Sequence, residues 1–225
     1  MLQELEMIKR HTVILASALL AGAIFTSPVF SASSKAYAGN QLFNTTCFLC
    51  HGKSGKGDGP LAGKLDTPVT DLTNGGHVSQ LSDRELFRII QGTMAHGTVN
   101  KSMPRWGLAI SEPQIHSLVA YIRFLHRSKH ELAGDPELGK KVYQKNCATC
   151  HGRDGKGDGA LTNVITMSPA DHTDGVTMNQ ISNEQMRKTI TIGSTGKGLM
   201  PGWKDLLSDA EIDGLISYIR LLSKH

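Results

Sequence analysis

Cys47-Phe48-Leu49-Cys50-His51 is restated one hundred residues later as Cys147-Ala148-Thr149-Cys150-His151. C-x-x-C-H is the attachment signature of a c-type haem. Two cysteines three apart on one helical turn can each form a thioether to a haem vinyl group. The histidine after them is then held where its ring nitrogen meets the iron. Cys47, Cys50, Cys147 and Cys150 are the only cysteines of the chain. A four-cysteine zinc site could use the whole set, but it gives no reason for a histidine after both pairs. A thioredoxin-like pair should sit in a βαβ pattern, and none is visible.

The repetition runs past the motif. Residues 50–61 (CHGKSGKGDGPL) answer residues 150–161 (CHGRDGKGDGAL), with nine of twelve positions identical. Such self-similarity points to a duplicated domain. A short helical segment precedes each motif, Gly39–Phe43 in one copy and Pro136–Lys145 in the other. Gly39 and Phe43 match Gly139 and Tyr143, each pair four apart. A glycine one turn before an aromatic lets another helix cross closely. The glycine-rich stretches 55–59 and 155–159 lack the strand, spacing and G-K-[ST] ending of a phosphate-binding loop. They are expected to wrap the histidine side of each haem, with glycines supplying unusual backbone angles. Ser82-Asp83-Arg84-Glu85 and Ser182-Asn183-Glu184-Gln185 carry capping-box patterns. Gly92 and Gly193 stand where those helices should end. Each copy closes with an amphipathic helix, one through Ile115, Leu118, Val119, Ile122 and Leu125, the other through Ile212, Leu215, Ile216, Ile219 and Leu222. No strand pattern emerges, so the expected fold is all-α.

The domain boundaries expected are 39–128 and 136–225, joined by a polar linker over 129–135. Residues 1–38 read as a secretion signal. Lys9, Arg10 and His11 precede a short apolar run from Val13 to Phe25, and Ala36-Tyr37-Ala38 offers an A-x-A cleavage site. The rival reading is an uncleaved anchor, because no charge occurs from Thr12 to Ser34. Serines and Pro28 dilute the second half of that stretch, which favours cleavage and an exported, periplasmic protein. The formal net charge is +4, of which residues 1–38 hold +1 (Lys9, Arg10 and Lys35 against Glu4 and Glu6), leaving +3. That balance, with no basic patch interleaved with aromatics, excludes nucleic acid as a partner. Aromatic content is 5%, thin for cores of this size, and a haem in each half supplies the missing apolar body.

The iron needs a ligand opposite the histidine, or it stays open for chemistry. The first copy offers Met94 and Met103; the second offers Met167, Met178, Met186 and Met200. Met103-Pro104-Arg105-Trp106 matches Met200-Pro201-Gly202-Trp203, and both methionines lie eight residues before the serine that opens the last helix. Neither Met94 nor Met167 has a partner in the repeat. Methionine is ordinarily a core filler, but a Met-Pro pair placed alike in two copies points to His/Met ligation. The histidine rivals are His77, His96, His116 and His172, with His96 the most credible for the first haem. All four are expected to be surface residues. Trp106 and Trp203 are expected to pack against the haems, each indole N–H reaching a propionate.

With the haem motifs, Met-Pro pairs and closing helices assembled, the chain resembles a dihaem class I c-type cytochrome. In layout it is similar to the cytochrome c4 group, and its Gly-Lys-Gly-Asp-Gly loop also resembles cytochrome c subunits of larger respiratory complexes. The resemblance covers nearly all of residues 39–225. It implies two tandem cytochrome c domains, the helix around Gly39 crossing that around Ile115, and the helix around Gly139 crossing that around Ile212. It implies two covalent haem c groups held by Cys47, Cys50, Cys147 and Cys150, His51 and His151 as proximal ligands, and Met103 and Met200 as distal ones. With both axial positions filled, the expected function is single-electron transfer between redox proteins, free or docked in a membrane-bound respiratory complex. A dihaem peroxidase with one open iron is the enzymatic rival. The shared Met-Pro pattern and the short chain weigh against it.

Overall fold

The computed structural model describes residues 34–73, 75–94, 102–165, 168–194 and 200–224. Within these the chain is helical, and the only β feature is an isolated bridge between Asp174 and Lys224. The first half carries α1 (Lys35–Leu42), a π-turn over Phe43–Cys47, α2 (Phe48–His51), α3 (Gly75–Val78), α4 (Asp83–Gln91) and α5 (Glu112–Arg127). The second half repeats the plan with α6 (Pro136–Asn146), α7 (Ala148–His151), α8 (Gly175–Gln180), α9 (Asn183–Ile192) and α10 (Asp209–Leu222).

Four helix starts follow from one local rule. Ser82, Ser111, Ser182 and Ser208 each form a capping box, with Glu85, Gln114, Gln185 and Glu211 returning the bond to the serine N–H. Each box satisfies two backbone donors that the first turn would otherwise leave bare. Gly92 and Gly193 end α4 and α9 at φ of 82° and 83°, which a side chain tolerates poorly.

The two halves share one crossing. α1 packs on α5 and α6 on α10. A Cβ on Gly39 would stand 1.9 Å from the Ser117 carbonyl oxygen, and one on Gly139 1.8 Å from that of Gly214. Only glycine admits backbones this close. The crossing buries Phe43, Ile115, Leu118 and Tyr121 in one half, and Tyr143, Ile212, Leu215 and Ile216 in the other. Full burial of each aliphatic side chain contributes about 1.5–3 kcal/mol.

The first helix begins earlier than its glycine-aromatic pattern suggests. Ser34 caps it, and Ala36 and Tyr37 are buried within its first turn. The Ala36-Tyr37-Ala38 triplet, read in sequence as a cleavage site, is thus folded helix, while residues 1–33 lie outside the described residues. Tyr37 joins the halves. Its ring meets Tyr218 of α10 edge-on, its hydroxyl donates to Glu137, and the Lys140 ammonium sits 4.5 Å from its centroid. Residues 128–135 are also fastened. Lys129 N–H donates to the Asn179 side chain at 3.1 Å, Gly134 N–H to Ser217 Oγ at 2.8 Å, and the Asn183 amide to the Glu131 carbonyl at 3.0 Å. The polar connector is held on the second half by these bonds.

Candidate haem sites

α2 and α7 are single turns that present the histidine of each motif. The chain then folds back sharply. Gly52, Gly55 and Gly57 adopt φ of 75°, 77° and 79°, and Gly152, Gly155 and Gly157 repeat this at 79°, 80° and 74°. A Cβ on Gly57 would meet the Val69 carbonyl at 2.5 Å, and one on Gly157 the Pro169 carbonyl at the same distance. The glycines therefore let the following segment lie against the loop. Leu72 N–H donates to the Gly55 carbonyl at 2.7 Å, and His172 N–H to the Gly155 carbonyl at 2.6 Å.

That fold-back places one carbonyl against each motif histidine. His51 Nδ1 lies 3.3 Å from the Thr70 oxygen, and His151 Nδ1 3.2 Å from the Ala170 oxygen. Nδ1 donating to a carbonyl leaves the Nε2 lone pair for a metal and holds the ring in one orientation. Burial pushes both imidazoles below their ordinary pKa, with the carbonyl bond acting against it. Neutral imidazole is the ligating form.

Burial raises the Cys47 thiol to about 11 and the Cys147 thiol to about 12, with Cys50 and Cys150 acting in the same sense. Exchange-active thiols run the other way, towards low pKa, so a thioredoxin-like role does not fit. Among the described residues no group of three or more Cys, His, Asp or Glu stands where it could hold a metal ion.

In the first half a cavity of about 500 Å³ opens over α2, a volume that suits a mid-sized organic ligand. Cys47, Cys50 and His51 line it together with Met103, Pro104 and Trp106, and Leu65, Val78, Leu86, Ile90 and Leu118 contribute apolar walls. The donor set (two thiols, one imidazole, one thioether) and the greasy walls fit a covalent haem. Met94, the rival from the same half, is not among the lining residues. His77 is at the rim, exposed to solvent. His116 is exposed on α5, its ring 4.7 Å from that of Phe87. His96 and Met167 lie outside the described residues. In the second half Cys147, Met200 and Trp203 pack partly buried against the core. Trp203 N–H donates to the Ile190 carbonyl at 2.9 Å, which holds the Met-Pro loop on the end of α9. Met178 and Met186 are core residues.

His172 departs from the surface placement expected of it. The Gly155–His172 backbone bond draws its ring onto His151, with centroids 4.4 Å apart and planes at 17°. Burial first, and the His151 imidazole second, push its pKa down to about 3. Lying against the histidine that faces the motif, it does not act as a ligand from the opposite side.

Two residues that sequence reasoning left unassigned fasten the wall of each site. Arg123 donates to Asp83 at 2.7 Å, to the Val78 carbonyl at 2.9 Å and to the Leu81 carbonyl. Arg220, only 1% exposed, does the same to the Asn183 side chain and the Met178 and Ile181 carbonyls. The readable signal was an arginine at the same place in both Tyr-Ile-Arg triplets, on a helix otherwise apolar there.

The sequence profile described as "Cytochrome C oxidase, cbb3-type, subunit III" matches the chain twice, over residues 34–122 and 134–219. The chain belongs to this family. As a subunit III relative it is 31% identical over 195 residues to the "Cbb3-type cytochrome c oxidase subunit CcoP" of Azospirillum brasilense, covering 82% of this chain and 61% of that protein. It is 28% identical over 194 residues to the CcoP subunit of Cereibacter sphaeroides, covering 81% of this chain and 59% of that protein. The chain thus spans about three fifths of the length of these curated relatives. Among solved structures, a chain of the Kuenenia stuttgartiensis reducing HAO-like protein complex aligns with a TM-score of 0.35 at 26% identity, covering 83% of this chain and 96% of that one. The family matches agree with the tandem cytochrome c reading, and each half is the unit that carries one covalent haem c.

Proposed function

We propose that this chain is the two-haem electron-transfer part of a respiratory oxidase of the cbb3 type, passing single electrons from a redox donor towards a membrane-bound partner. Cys47 and Cys50 hold the first haem, and Cys147 and Cys150 the second. His51 and His151 are the proximal ligands, Met103 and Met200 the distal ones, and Trp106 and Trp203 pack beside them. A haem so ligated supplies one-electron redox chemistry at iron. The residues around it fix the imidazole tautomers, exclude water and leave no place for a substrate at the metal.

The observation that carries this reading is the convergence of Cys47, Cys50, His51 and Met103 on one apolar cavity. Residues 1–33 are proposed to serve as export leader or anchor, with the folded cytochrome beginning at Ser34. Among the described residues no helix is long and apolar enough to cross a membrane. The test is the intact mass of the exported protein. Two haems per chain are expected, falling to one in Cys47→Ala/Cys50→Ala and in Cys147→Ala/Cys150→Ala. Retention of both haems in either variant would overturn the assignment.

A further inference from the structure

The two halves differ directly behind the motif histidine. In the first half His51 is backed by Phe43, 6.3 Å away between centroids, with Leu72 at the end of the fold-back segment. In the second half the residue equivalent to Leu72 is His172, stacked on His151, and the residue equivalent to Phe43 is Tyr143. The Tyr143 hydroxyl lies 3.1 Å from His172 Nδ1, a hydrogen bond that the Phe43–Leu72 pair cannot form. The two exchanges occur together: apolar with apolar in one copy, polar with polar in the other. The fold-back bond to the glycine carbonyl is present in both, so the backbone that delivers the two residues is the same.

We propose that His172, oriented by Tyr143, is a positioning residue that lowers the potential of the second haem and so separates it from the first. This deepens the function proposed above and rests on His151 being an iron ligand. Oxidation leaves one more positive charge on the iron, shared with its imidazole. A polar, polarisable ring in face contact with that imidazole stabilises the oxidised state more than the aliphatic side chain of Leu72 does. Within a low-dielectric site such dipoles act strongly, and groups behind a ligating histidine are a recognised lever on the metal.

The experiment is a potentiometric titration of the haem-loaded full chain, followed by optical and paramagnetic NMR spectra. Tyr143→Phe/His172→Leu recreates the pair that the first half already uses, and so keeps a packing the fold accepts. One of the two redox waves should rise, by about threefold or more in the reduced-to-oxidised ratio at fixed applied potential. That is about 28 mV or more at 59 mV per tenfold for one electron. The other wave should stay in place, and the shifted proton resonances of only one proximal imidazole should move. The reciprocal Phe43→Tyr/Leu72→His should lower the other wave. Unmoved waves with low-spin spectra intact, or equal movement of both, would overturn the proposal. His151→Ala separates the underlying reading: if the second haem stays low-spin there, the ligand assignment fails, whatever the waves do.

Discussion

Tyr37 of the first helix and Tyr218 of the last stand edge to face across the two halves of the chain, with ring centroids 5.5 Å apart at 84°. Tyr37 is 4% exposed, and burial, then the Glu137 hydrogen bond, raise its phenol well above the ordinary range. It therefore stays a neutral donor at any working pH. Aromatic truncation at a buried site costs about 3 kcal/mol or more, so Tyr37→Ala should lower the midpoint of thermal unfolding by about 6–12 °C for a chain of this size. Calorimetry of the haem-loaded protein checks this, and a shift under about 2 °C would mean the contact is dispensable.

The same residue bears on maturation. Cleavage after Ala38 would remove Ala36, Tyr37 and the Ser34 cap from a formed helix. The amino terminus of exported protein should therefore lie at or before Ser34, as read by terminal sequencing. A terminus at Gly39 would show that the first turn is discarded.

Gly139→Ala should be among the most damaging small substitutions. Its Cβ would stand 1.8 Å from the Gly214 carbonyl, and backbone cannot step aside as a flexible side chain can. Overpacking of this kind costs about 1–3 kcal/mol. Denaturant unfolding of the holoprotein measures it. Gly63→Ala, with nothing within 4 Å of the added carbon, is the control and should be near neutral.

Arg220 and Arg123 occupy equivalent places with unequal partners. Arg123 has the Asp83 carboxylate; among the described residues Arg220 donates to the Asn183 amide oxygen and two carbonyls, and burial lowers its pKa to about 10. Arg220→Met should cost about 2–5 kcal/mol by leaving the Met178 and Ile181 carbonyls bare. Asn183→Asp gives Arg220 the carboxylate that Arg123 has but removes the amide that donates to the Glu131 carbonyl, so a gain and a loss of about 1 kcal/mol each should offset and leave stability within about 1 kcal/mol of the parent. Paired urea titrations decide both, and a change of more than about 1 kcal/mol in Asn183→Asp would show that the two effects do not offset.

Much of this was legible in the chain. The haem motifs, the Met-Pro pairs, the capping boxes and the Gly39 and Gly139 crossings depend on short-range chemistry that recurs in both copies. What escaped depends on tertiary placement. Ala36-Tyr37-Ala38 has the pattern of a processing site, and only the partner helix turns it into core. Arg123 and Arg220 carry no assignment until the carbonyls they donate to are in view. His172 reads as a lone histidine, because its meaning comes from a ring 21 residues away in sequence. Its only signal was the mismatch with Leu72 in an otherwise close repeat.

The most direct test of the account is carbon monoxide binding to the reduced, haem-loaded protein, followed at the Soret band. If Met103 and Met200 fill both distal positions, as proposed, the band should not move. Met103→Ala and Met200→Ala should each expose about half the haem to the ligand. A shift involving about half the haem in the unmodified protein would mean that one iron is open, and the six-coordinate, carrier-only reading would be contradicted.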